Sequence, residues 1–133
     1  MLLKIQYHAA FAAVVSTIIL FFLTHIPADW LPEAGNYNDK TVHFAAYFML
    51  AFLYNLSFSA ASWKSVLISL MIAILLAGLG YLDEYTQQFF GREYCIADYY
   101  ADLKGIILGT VSAKALKVVY YLITGKINFV LSK

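Results

Sequence analysis

Residues 65–84 read SVLISLMIAILLAGLGYLDE, a run of uncharged, mostly apolar residues that stops abruptly on two acids. The hydrocarbon core of a bilayer is about 30 Å thick and takes ~20 helical residues to cross, so this run predicts a membrane span. Working outward, residues 41–63 carry no charge apart from possible protonation of His43. Residues 5–28 carry only His8 and His25. These gaps predict transmembrane helices near 7–25, 42–61 and 64–83. A fourth is expected over Ile96–Leu116, provided that Asp98 and Asp102 face protein while Lys114 and Lys117 snorkel outward. The tail 118–133 is apolar but interrupted by Gly125 and Lys126, and is expected to lie in the interface rather than cross again. The first apolar run exceeds the ~7–15 residues of a signal-peptide core and reads as a retained helix. The fold class is therefore all-α, a four-helix polytopic membrane protein forming one domain over 1–133.

Composition points the same way. Of the 133 residues, 62% are hydrophobic and 13% charged, against roughly 45–50% and ~25% in a soluble domain. A disordered chain and a soluble enzyme are both excluded. A net charge of +1 lacks the basic excess of a nucleic-acid binder. A single cysteine, Cys95, permits no internal disulfide.

Charge placement supplies an orientation. Lys4, Lys64, Lys114, Lys117, Lys126 and Lys133 fall on the side holding both termini, which by the positive-inside rule is cytoplasmic. Lys40, Arg92 and Lys104 fall on the other side, together with all eight acids. The expected location is the cytoplasmic membrane, crossed several times with both termini inside. Pro27 and Pro32 mark the first outer loop as a break between helices.

Ionisable residues in or beside a span are costly and signal function. Asp39, His43 and Tyr47 recur every four residues and share one face of the second helix. Gly80, Glu84 and Gln87, with Asp83 beside them, border the end of the third. Asp98, Asp102, Gly105 and Gly109 form one face of the fourth, and the two glycines make a GxxxG pair that admits a close helix neighbour. Each stripe alone has a structural reading: a hydrogen-bonded histidine, a solvated helix end, a packing motif. Asp102 lies a turn deeper than Asp98 and needs a partner or a proton. Arg92 is expected to fold back onto Asp98, Glu84 or Asp102, since its fork can hold two carboxylates. Substitution of Lys117 or Lys126, at the far end, is expected to leave any envelope function intact.

The series Asp39-Lys40-x-x-His43-x-x-x-Tyr47, Asp83-Glu84-x-x-Gln87, Gly91-Arg92 and Asp98-x-x-x-Asp102-x-x-Gly105-x-x-x-Gly109 resembles the VanZ-like family of small bacterial membrane proteins, over about residues 39–109. The family usually carries Asn where this chain has Asp102, and its stretch before Gly-Arg is about one residue longer, often with a proline. The resemblance implies a four-helix membrane protein of the cell envelope, linked through the founding member to resistance to the glycopeptide teicoplanin.

Three functions compete. An envelope protein would recognise a membrane lipid or cell-wall precursor in an outward-facing pocket lined by Asp39, Lys40, His43, Tyr47, Asp83, Glu84, Gln87, Arg92, Asp98 and Asp102. It would need no cofactor, and the absence of GxSxG, HExxH, P-loop and CxxC motifs favours it. A membrane enzyme acting on a lipid-linked or phosphate-bearing substrate would use His43 as acid or base, with Asp83, Glu84 and Asp98 orienting it or holding a divalent cation such as Mg²⁺. A transporter lacks the expected inverted repeat. A homo-oligomer through Gly105 and Gly109 is one arrangement the sequence allows.

Overall fold

The computed structural model describes residues 2–30, 39–58 and 63–124. Four helices follow one another: α1 (Leu2–Thr24), α2 (Asp39–Ser57), α3 (Trp63–Gln87) and α4 (Ile96–Ile123). Short 3₁₀ turns occupy Ala28–Trp30 and Gln88–Phe90. There is no strand among the described residues. α1 stops shortly before Pro27, as expected where proline disfavours helical geometry in its predecessor.

α2 and α4 run parallel, and α1 and α3 run against them. His43 meets Asp102 at one end of the bundle, and Asn55 meets Thr110 and Lys117 toward the other. The end of α1 reaches the end of α3 through Thr24 and Asp83. The described acids of α2, α3 and α4 therefore gather at one end, called here the acidic end, with Lys114 and Lys117 at the lysine end.

The α2–α4 interface is the closest in the molecule, and glycine makes it so. A Cβ on Gly105 would meet the backbone carbonyl oxygen of Phe44 and stand 2.8 Å from the Phe48 nitrogen. One on Gly109 would meet the Phe48 carbonyl oxygen. Both glycines are thus buried against α2 of the same chain. Below the acidic end, Tyr47, Leu50, Ala51, Ile72, Leu76 and Ile106 make the core. Large apolar side chains such as Phe11, Phe22, Leu75 and Ile107 point outward, a surface suited to lipid rather than water.

Three helices, over Lys4–Thr24, Lys64–Phe90 and Ile96–Ile123, are long and apolar enough to cross a membrane. α2 is not among them, although its charge-free run predicted a span. Its 19 residues include a face of His43, Tyr47 and Asn55 that is buried by the other helices, so it is shielded by protein and need not be apolar. The fourth helix, which looked the least clean by charge, is apolar enough. It also continues to Ile123, so residues 118–123 belong to the helix rather than to an interfacial tail. Residues 125–133 lie outside those described.

The lysines at the far end have specific work. Lys117 donates to the carbonyls of Asn55 and Phe58, where α2 ends, and Lys114 donates to the Ser65 hydroxyl at 2.6 Å. A cation on terminal carbonyls stabilises a helix by about 0.3–1 kcal/mol, rising to ~2 when partly buried. Lys117→Met is expected to lower stability by about 1–2 kcal/mol in detergent unfolding, whereas the exposed Lys64→Ala leaves it unchanged.

Candidate functional site

The chain reverses between α3 and α4 at Gly91, whose φ of 74° lies in the left-handed region that favours glycine. The Arg92 N–H closes the turn on the Gln87 carbonyl at 3.3 Å. Cys95 then sits extended at the start of α4 and donates its backbone N–H to Glu84 Oε2 at 3.2 Å. The last turn of α3 and the first of α4 are held side by side, with Glu84 between them.

α2 contributes the imidazole. His43 Nδ1 lies 3.0 Å from Asp102 Oδ1 and 3.5 Å from Glu84 Oε1, and its Nε2 lies 4.0 Å from Asp39 Oδ1, one turn earlier on the same helix. Asp102 has no exposed surface, and Glu84 and Tyr47 are each 1% exposed. Tyr47 sits one turn deeper than His43. Gly80 on α3 makes room for it: a Cβ there would stand 3.0 Å from Asp102 Oδ2 and 3.4 Å from the Tyr47 ring. Four side-chain oxygens in this region are buried without a hydrogen-bond partner: the Tyr47 hydroxyl, Glu84 Oε1, Asp98 Oδ1 and Asp102 Oδ2. Such atoms cost about 1–3 kcal/mol each, more when charged, and concentrating them at one point is what a ligand site requires.

Around this centre the other acids have partners. Asp98 faces Lys40 at 3.8 Å. Asp83 accepts from the Thr24 hydroxyl at 2.6 Å and from Gln87 Nε2 at 3.1 Å, with His25 3.7 Å away. Arg92 pairs with Asp39 at 3.7 Å and donates to the carbonyl of Thr24 at 3.3 Å. This differs from the expected pairing with Asp98, Glu84 or Asp102. The turn at Gly91 leads Arg92 toward the end of α1, where unfilled helix carbonyls attract a cation, and Asp102 takes His43 instead.

The structure thus gathers all ten polar residues singled out in the sequence at one end of the bundle, while Gly105 and Gly109 set the α2–α4 spacing beneath them. Sequence reasoning missed α1. Thr24 and His25 brace Asp83, and His25 stacks on Phe21 with ring centres 4.3 Å apart while hydrogen-bonding the Thr86 hydroxyl at 2.9 Å. The available signal was a Thr-His pair just before Pro27, at the level where the acids cluster.

Beside the polar centre a cleft of about 440 Å³ opens between α1, α2 and α3. Ile18, Leu20, Phe21 and Leu79 form most of its wall, and Tyr47 and Asp83 adjoin it.

The fold and composition define an all-helical chain with three helices fit to cross a membrane. No family model, curated protein or solved structure matches it.

Proposed function

We propose that this chain is a VanZ-like, four-span protein of the bacterial cell envelope that recognises an envelope lipid or lipid-linked cell-wall precursor at its acidic end. In this reading α2 crosses the membrane inside the cover of its neighbours, both termini are cytoplasmic, and the acidic end faces outward. The polar group of the ligand meets His43, Arg92, Lys40 and the carboxylates, and its hydrocarbon chain lies in the adjoining cleft. The observation that carries the reading is the junction of the two environments. Unpartnered buried oxygens of Tyr47, Glu84 and Asp102 stand beside an apolar cleft that shares Tyr47 with them, the amphipathic pairing a lipid needs. The resemblance to VanZ-like proteins adds a link to glycopeptide susceptibility.

Function is tested in cells exposed to teicoplanin. His43→Ala and Arg92→Ala are expected to abolish any protection that the wild type confers, with the amount of each variant in the membrane measured alongside, while Lys64→Ala keeps it. Wild-type behaviour of both site variants at normal abundance would refute the reading. Topology has a separate test in a Cys95→Ser background. An impermeant thiol reagent applied to intact cells is expected to label Trp30→Cys and spare Phe58→Cys, and the reverse pattern would invert the orientation.

A further inference from the structure

Glu84 and Asp102 face one imidazole between them, and this leaves the deepest part of the acidic end short of positive charge. The other two buried acids have their own counter-groups: Lys40 for Asp98, and Thr24, Gln87 and His25 for Asp83. Glu84 and Asp102 share His43, and beyond it, among the described residues, only the Cys95 N–H hydrogen-bonds to either of them. Glu84 Oε1, Asp102 Oδ2 and the Tyr47 hydroxyl are left buried and unpartnered.

We propose that His43 Nδ1, Glu84 and Asp102 bind one divalent first-row transition-metal ion, Mn²⁺ or Zn²⁺ in character. Two of the three ligand-atom spacings lie close to what an ion needs, and the third is within reach of a small side-chain adjustment. The imidazole nitrogen lies 3.0 Å from the Asp102 oxygen and 3.5 Å from the Glu84 oxygen, and one ligand atom from each residue lies within 4.8 Å of the others. Metal–ligand bonds of about 2.1 Å give tetrahedral or octahedral edges of about 3.0–3.4 Å. Charge closes as well. Two carboxylates, a neutral imidazole and a dication sum to zero, which removes the penalty of burying unbalanced charge. The second nitrogen of His43 faces the Asp39 carboxylate at 4.0 Å, longer than a hydrogen bond but on the side where a metal-bound imidazole commonly carries an outer carboxylate. One nitrogen and two carboxylates suit Mn²⁺ or Zn²⁺ better than Ca²⁺, which takes six to eight oxygens. The Tyr47 hydroxyl or a ligand oxygen arriving from the cleft would complete the shell. A second cluster, Asp39, His43 and Asp98, is a poorer site, because Arg92 and Lys40 already face its acids.

This assignment rests on reading the acidic end as a ligand site and names the ion that prepares it. Its test is independent of any envelope phenotype. The full chain, expressed without a polyhistidine tag and purified in detergent, is stripped with EDTA, then titrated with Mn²⁺ and with Zn²⁺. Metal content and melting temperature are read together. One ion per chain and a raised melting temperature are expected for the wild type. Asp102→Asn and Glu84→Gln, which keep shape and lose charge, are expected to weaken binding by about a hundredfold or more, since losing even an outer-shell partner costs 10–100-fold. Glu93→Gln, an exposed acid outside the cluster, is expected to retain one ion. Three results would overturn the proposal: a wild type that takes up neither ion and melts unchanged, Asp102→Asn and Glu84→Gln variants that keep the ion, or loss of the ion in Glu93→Gln as complete as in Asp102→Asn.

Discussion

Replacing His43 with alanine is expected to cost about 3–5 kcal/mol of stability, the scale seen when one partner of a buried ion pair is removed. The reason is local and specific. His43 is the only cationic or hydrogen-bonding side chain within reach of both Glu84 and Asp102 among the described residues, and both carboxylates are almost fully buried. Removing the imidazole leaves two acids facing each other across a cavity. The double variant His43→Leu with Asp102→Leu is expected to recover much of that loss, because replacing a buried ion pair with apolar groups is often neutral. Unfolding in detergent, followed by circular dichroism, distinguishes the two. A single variant as stable as the wild type would mean that His43 does not hold the charges apart.

A second large loss is expected from Gly105→Val. The valine Cβ would fall against the Phe44 carbonyl oxygen and close to the Phe48 nitrogen, both backbone atoms of a packed helix that cannot swing aside. Overpacking of this kind costs about 1–3 kcal/mol and occasionally more, and here the only relief is to move α2 away from α4. That motion also separates His43 from Asp102, so Gly105→Val is expected to lose any ligand binding along with stability. The equivalent change at Gly78, where no atom lies within 4 Å of an added Cβ, is expected to be tolerated. Comparable unfolding of the two variants would contradict the packing account.

How much of this was legible in the sequence depended on which physical signal each element carried. Period-four spacing put Asp39, His43 and Tyr47 on one face, and Asp98, Asp102, Gly105 and Gly109 on another, and the structure joins those two faces. Charge-free runs located the helices, because a lipid-facing helix excludes charge along its length. For α2 that signal is the sole support for a span, since the helix has a polar inward face covered by its neighbours, and it ended α4 at Leu116 rather than Ile123 because Lys117 reads as a boundary residue. Pair identities were not legible. Whether Arg92 reached Asp102 or Asp39 depended on the direction of the chain after Gly91, a property of one backbone angle. The brace from Thr24 and His25 was hidden for a similar reason, since nothing in α1 signals which side of it meets Asp83.

The central claim is that the unpartnered cluster and the cleft beside it form one site for a lipid-linked ligand. Native mass spectrometry of the chain, released from membranes in mild detergent, tests it most directly. The wild type is predicted to carry a bound envelope lipid or precursor, and His43→Ala and Arg92→Ala to lose it while Lys64→Ala retains it. Identical lipid adducts on all four proteins would contradict the account.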